Sequence, residues 1–283
     1  MADDRAATFD APTIDTPTID TPTVDAPAHP VPTPPRLQAV SDTVGELVGR
    51  RSRDLERPLR VLDLGGGTGG LAVPLAALGH HVTVLDPSPD ALAALERRAA
   101  EYSVADRITA RQGDTDSLAD TETLVDLLSD GAFDLVCCHG VLEVVDDPAG
   151  ALAGVASVLA PGGYLSLLVA GRLAMVLARA LAGDFGYARQ VLTSEDGRWG
   201  RTDPLPRRFD TEELATLLDR VGFRDVEVHG VRVFADLVPS ATLDSAADRA
   251  ALDALEREVA AHPRYADVLG RLGAGLHATA RHA

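Results

Sequence analysis

Lysine is absent from this chain of 283 residues, so all 26 basic side chains are arginine. That excludes chemistry routed through a lysine Schiff base, pyridoxal enzymes included. Cysteine is nearly absent too. Cys137 and Cys138 are neighbours in an apolar run, which suits neither a structural disulfide nor a metal site and reads as buried thiols in a reducing compartment. No apolar stretch reaches the roughly 18 residues that a bilayer-spanning helix needs. The opening Met1-Ala2-Asp3-Asp4-Arg5 lacks the basic-then-apolar order of a secretory leader. A cytoplasmic protein with no membrane and no metal partner is expected. Positive charge is in deficit: a net −17 at pH 7 argues against broad electrostatic binding of nucleic acid and leaves room only for a local basic patch.

What is present divides in two. Residues 1–35 hold three copies of a five-residue unit, Ala11-Pro12-Thr13-Ile14-Asp15, Thr16-Pro17-Thr18-Ile19-Asp20 and Thr21-Pro22-Thr23-Val24-Asp25. Proline at every fifth position blocks helix and sheet, and one Ile or Val per unit cannot build a core. A disordered acidic tail is predicted over 1–35, followed by one domain over 36–283. From residue 37 onward strand and helix patterns alternate. Strands are predicted at 59–64, 81–86, 107–112, 133–138 and 164–170, with helical stretches at 37–48, 68–78, 88–102, 119–129 and 148–159. Beyond them come a helix at 172–182, an irregular segment at 184–208, a helix opening at Asp210, strands at 226–234 and 276–281, and a helix at 243–260. Alternation of this kind implies an α/β, Rossmann-like, doubly wound parallel sheet with ligands at the carboxyl ends of its strands. The stretch 171–209 reads as an insertion capping that edge.

The chain is arranged around Arg60-Val61-Leu62-Asp63-Leu64-Gly65-Gly66-Gly67-Thr68-Gly69-Gly70, a strand that enters a helix through glycine. Glycine there supplies unusual φ values and removes the Cβ where a nucleotide-like ligand would lie. The next strand closes on Asp86, 19 positions past Gly67. A carboxylate about 20 residues beyond such glycines can hold both hydroxyls of a ribose. An adenosine cofactor is therefore expected; the alternative is a tight turn in which Asp86 only caps the following helix.

This pattern resembles the class I S-adenosylmethionine-dependent methyltransferases. Val61-Leu62-Asp63-Leu64-Gly65-Gly66-Gly67-Thr68-Gly69 is similar to their first motif, Asp86 to the ribose-binding acid, Gly113-Asp114 to the turn beside the adenine, and Leu159-Ala160-Pro161-Gly162-Gly163 to the loop before their fifth strand. A nicotinamide dehydrogenase shares the glycines and the acid, but Asp63 and the Pro-Gly-Gly loop favour the methyltransferase. Over residues 60–283 the runs 138–148, 183–187, 230–234 and 276–281 resemble the bacterial tRNA 5-carboxymethoxyuridine methyltransferases, which esterify the carboxylate of a modified wobble uridine. The resemblance implies a seven-stranded sheet and S-adenosylmethionine as cofactor. It also implies cofactor contacts from Arg36, Asp63, Gly65, Gly66, Gly67, Asp86, Asp114, Thr115, Asp116 and His139.

The departures bear on the acceptor. The family's Tyr-Gly and Lys-Gly segment ahead of Arg36 gives way to the proline repeats. Its lysine-rich tract near 190–200 gives way to Thr193-Ser194-Glu195-Asp196-Gly197, and Thr115 and Asp116 differ in residue type. The acceptor therefore stays open between tRNA and a small molecule, as does the reading of a cofactor-binding protein without turnover.

On the acceptor side, His139, Arg232 and Tyr187 are the candidate catalytic residues. An ionised carboxylate needs no general base, only an arginine to hold it. A hydroxyl or amine would need one, for which His139 or Glu143 is available; Glu143 reads equally as a helix-start charge. Arg232 lies in an apolar run and should face a cleft or an acid. Segment 184–208 holds five arginines (189, 198, 201, 207, 208) against four acids (184, 195, 196, 203), with Trp199, Phe185 and Tyr187. That mixture suits stacking on a splayed RNA base or a lid over a small-molecule pocket.

Overall fold

The computed structural model describes residues 38–239 and 242–283. The tail expected over 1–35 and Arg36 lie outside them. Seven strands form one sheet: β1 (Arg60–Leu64), β2 (His81–Asp86), β3 (Ile108–Gln112), β4 (Phe133–His139), β5 (Leu159–Ala170), β6 (Arg224–Val231) and β7 (Gly275–Arg281). Their order is β3-β2-β1-β4-β5-β7-β6. The first five run parallel to one another, and β7 runs antiparallel to both β5 and β6.

The helices are α1 (Gln38–Leu55), α2 (Ala72–Ala77), α3 (Pro89–Glu101), α4 (Thr121–Leu127), α5 (Pro148–Val158), α6 (Arg172–Leu181), α7 (Phe185–Thr193), α8 (Thr211–Val221), α9 (Ala246–Ala261) and α10 (Ala266–Gly270). Helices α1 to α3 bury Val40, Val44, Val73, Leu92 and Leu95 against one face, where Val61, Val82, Val84 and Leu135 point. On the other face α5 and α8 bury Leu152, Val155, Leu214 and Leu218 against Leu62, Val136, Leu165 and Leu167. Strands covered on both faces read as continuous apolar runs, which is why β1 and β4 were recognisable. Local signals fix the helix starts. Ser88 accepts from Ala91 N–H ahead of Pro89 in α3, and Asp147 accepts from the Ala149 and Gly150 N–H groups ahead of Pro148 in α5.

Three elements differ from expectation. The strand predicted over 226–234 stops at Val231, because Arg232 takes φ +58° and the chain turns. The carboxylate of Glu256, on α9, then accepts the N–H groups of Val233, Phe234 and Ala235 at 2.9, 2.8 and 3.0 Å. The segment 184–208, expected to be irregular, contains α7. Strand β5 begins at Leu159 rather than 164, running through the Pro-Gly-Gly stretch with a register break against β4 between Phe133 and Leu135.

The excursion between β5 and α8 is closed by a parallel bridge, Gly171 to Phe209. Arginines, two of them buried, stitch it together. Arg208 grips Asp203 bidentately at 2.7 and 3.0 Å. Arg172 donates to the Ser194 and Glu195 carbonyls at 2.6 and 2.9 Å and pairs with Asp210. Arg207 donates to the carbonyl of Val145 at 2.8 Å, tying the excursion to the turn that follows β4.

Candidate active site

The parallel strands deliver the glycine loop, Asp86 and the 113–116 turn to one edge of the sheet. Two glycines are dictated sterically. Gly65 has φ +71°, and a Cβ there would meet Val141 Cγ2 at 2.6 Å; a Cβ on Gly66 would lie 2.5 Å from Asp63 Oδ2 and 2.9 Å from Val84. The loop is braced by Asp86, whose Oδ2 accepts Gly67 N–H at 2.9 Å and whose Oδ1 accepts Ser88 N–H at 2.9 Å. Asp86 thus does touch the start of α3, as the capping alternative held. Each of its oxygens still keeps acceptor capacity for a hydroxyl. Gly113 N–H donates to the Asp86 carbonyl at 3.2 Å, setting the next turn alongside. In that turn Asp114 is exposed and its Oδ1 accepts from the Ser117 N–H and hydroxyl at 3.1 and 3.0 Å, Thr115 is buried, and Asp116 is exposed.

Asp63 supplies the test of whether this edge fits the cofactor. Its side chain is buried, and Oδ2 has no hydrogen-bond partner among the described residues. Burial, with Asp86 adding its charge, pushes the carboxyl up to about 7. A buried carboxylate lacking a partner is stabilised by an incoming cation. The ammonium of an amino-acid moiety beside a Cβ-free loop meets that need, so the residues present fit S-adenosylmethionine.

At the carboxyl end of β4, His139 is half-buried, with Nε2 2.9 Å from Ser166 Oγ. Ser166, fully buried, is in turn 2.8 Å from His277 Nε2, and the two rings meet edge to face at 5.9 Å. Burial lowers His139 to about 4; burial, then the neighbouring His139 and His229, lower His277 to about 3. Sequence reasoning missed Ser166. Its signal was a lone hydroxyl in the apolar strand run 165–169, on the same face as His139. Glu143 lies in a turn before α5 rather than at a helix start; its Oε1 accepts Ala170 N–H at 2.7 Å, its Oε2 is buried without a partner among the described residues, and burial raises its pKa.

Arg232 leaves the strand and stands at the carboxyl end of β6, its guanidinium 3.8 Å from Asp236, with Nε buried and unpartnered among the described residues. Tyr187, on α7, is exposed, with the Arg179 guanidinium 5.8 Å from its ring centroid. The same guanidinium lies 3.9 Å from the Trp199 ring centroid, and Arg208 lies 4.7 Å from it. Trp199 is only 8% exposed, so it is an internal cation–π post. The structure therefore gathers Asp63, Gly65, Gly66, Gly67, Asp86, the 113–116 turn and His139 at the carboxyl edge of neighbouring strands. Arg232 stands farther along that edge, and Tyr187 on the surface of the excursion.

This sheet order, with an acid-tipped second strand and a glycine loop over a buried acid, defines a class I methyltransferase. The chain matches the methyltransferase-domain family over residues 37–228, and it belongs to that family. It is 33% identical over 179 residues to the tRNA 5-carboxymethoxyuridine methyltransferase of Escherichia coli, covering 63% of this chain and 64% of the relative. It is 35% identical over 157 residues to a ubiquinone biosynthesis O-methyltransferase of Xanthomonas campestris, covering 52% of this chain and 62% of that one. The chain thus spans less than two thirds of either relative. Among solved structures, the magnesium protoporphyrin IX methyltransferase of Synechocystis PCC 6803, crystallised with SAH, superposes with a TM-score of 0.53 at 17% identity, over 88% of this chain and 86% of that one. That likeness speaks for the fold. No helix among the described residues is long and apolar enough to cross a membrane.

Proposed function

We propose that this enzyme methylates a carboxylate, and that the carboxylate belongs to 5-carboxymethoxyuridine in tRNA. S-adenosylmethionine supplies, when bound, a methyl group already activated on a sulfonium sulfur. The chain's part is to hold and align. Gly65, Gly66 and Gly67 give bare backbone to the adenosyl end, Asp86 accepts from the ribose hydroxyls, and Asp63 takes the ammonium. His139 borders the acceptor, and the excursion 171–209, tied down by Arg207, covers it and excludes water.

The observation that carries this reading is the protonation behaviour at the end of β4. His139, held near 4, is a weak base at pH 7. An acceptor that brings its own negative charge needs no base from that histidine. The tRNA is supported by the E. coli relative. A second reading, a small-molecule carboxylate, is favoured by the enclosure of Trp199 between two arginines, which removes the tryptophan from base stacking.

The test uses tritiated S-adenosylmethionine with bulk tRNA from cells lacking the enzyme, followed by mild alkali. Label that enters tRNA and is released as methanol is expected. Label resistant to alkali would contradict the ester, and an unlabelled tRNA pool would leave methyl transfer standing without its RNA target.

A further inference from the structure

Strand β7 runs antiparallel to both β5 and β6, so β6 runs parallel to β5 and ends on the same carboxyl edge of the sheet. Its last residue, Val231, packs on the face where Leu168 packs. Leu168 is the register partner of His139, so His139 shares that face. A strand continued through residue 232 would send the next side chain to the opposite face. Arg232 instead takes φ +58°, and its guanidinium comes back to the Val231 side. A Cβ built on Gly275 would meet Val231 Cγ2 at 2.9 Å, Leu168 Cδ1 at 3.0 Å and Arg232 Nη2 at 3.7 Å. The arginine head thus reaches over the start of β7 toward Leu168, the neighbour of His139.

Glu256 holds this turn. Its carboxylate accepts three consecutive N–H groups, Val233 on Oε2 at 2.9 Å, then Phe234 and Ala235 on Oε1 at 2.8 and 3.0 Å. Successive amides that converge on one anion form a nest. Here the anion is a side chain 21 to 23 residues away in sequence. A left-handed arginine persists only where its surroundings over-determine it, and three charge-assisted bonds do so. The arginine head itself keeps bonding capacity. Nε is buried without a partner among the described residues, and Nη2 lies 3.8 Å from Asp236, beyond hydrogen-bond reach.

We propose that Glu256 is a positioning residue of the acceptor site: it fixes the 232–235 turn, and the turn delivers the Arg232 guanidinium to the face of His139, where it holds the acceptor's carboxylate. A guanidinium can grip one carboxylate oxygen and leave the other uncovered for methylation. The role of Arg232 rests on the carboxylate reading given above; the clamp does not.

The test compares the full-length protein with Glu256→Gln, Arg232→Ala and the double variant. Gln keeps one acceptor oxygen and turns the other into a donor. Hydrogen exchange reads the clamp: the amides of 233–235 should be protected, and Glu256→Gln should cut that protection about tenfold while β1 and β4 keep theirs. Tritiated S-adenosylmethionine with bulk tRNA from cells lacking the enzyme reads the role. Arg232→Ala and Glu256→Gln should each raise KM for the tRNA about tenfold, with kcat and cofactor affinity little changed. In the Arg232→Ala background, Glu256→Gln should add nothing further, a non-additivity that a merely structural residue would not show. Unchanged exchange at 233–235, or additive effects on KM, would overturn the proposal. Arg232→Ala leaves the clamp in place, so an unchanged KM in that variant would overturn it even if Glu256→Gln did not fold. Unmodified protein that labels no tRNA would remove the tRNA carboxylate reading and the role assigned to Arg232, while exchange at 233–235 would still decide the clamp.

Discussion

Cofactor binding should release a proton, and Asp63 should be its source. The carboxyl is buried, has an oxygen with no partner among the described residues, and titrates near 7 in the unliganded fold. A bound ammonium returns it toward the ordinary carboxylate value of about 3.9. Below pH 7 the ligand must then displace a proton, and affinity weakens by up to tenfold per pH unit. A group titrating at 7 makes the dissociation constant at pH 5.5 about 16-fold larger than at pH 7.0. The sign for stability is fixed by the same shift. The folded pKa lies above the unfolded one, so the penalty is absent below pH 4 and grows as pH rises to 7. Its full size is about 4 kcal/mol, from a shift of about three pKa units. Asp63→Asn should therefore raise the melting temperature of the unliganded protein at pH 8 while weakening the cofactor and flattening its pH profile. Titration calorimetry in phosphate and in Tris reads the proton directly: about half a proton released at pH 7 and nearly one at pH 6. Equal affinity at pH 5.5 and 7.0, with no dependence on buffer, would refute the reasoning.

Other perturbations follow from the same contacts. Gly65→Ala forces φ +71° on a residue with a Cβ and drives that Cβ into Val141; a stability loss of about 1–3 kcal/mol with lost cofactor binding is expected from urea unfolding and calorimetry. Asp86→Ala removes the brace on Gly67 and Ser88 together with the ribose acceptor. Cofactor affinity should fall by about 1.5–3 kcal/mol, and unchanged binding would mean that the pocket lies elsewhere. Arg208→Ala leaves the Asp203 carboxylate buried without its partner, at a cost of about 3–5 kcal/mol. Hydrogen exchange should accelerate across 184–208 while β1 and β4 stay protected.

The cofactor edge was legible because its signals are local. Strand, glycines and helix follow one another between residues 60 and 77, and Asp86 closes the next strand. Pairing across the sheet was not, since nothing in 275–281 announces that β7 runs antiparallel between β5 and β6. Helix α7 was hidden by its own exposure: Phe185 is 71% and Leu192 54% solvent-exposed, so its apolar residues trace no single buried stripe. The same non-locality concealed Ser166, whose partners lie 27 and 111 residues away in sequence. It also misdirected the arginines of 184–208. Composition suggested an RNA footprint, whereas Arg207 and Arg208 are spent holding the excursion together.

The most direct measurement is a crystal structure of the full-length protein with S-adenosylhomocysteine. The adenosyl group should lie along Gly65, Gly66 and Gly67, with its ribose hydroxyls on Asp86 and its ammonium on Asp63. A ligand lodged at another edge of the sheet, or a glycine loop closed over by side chains, would contradict the account.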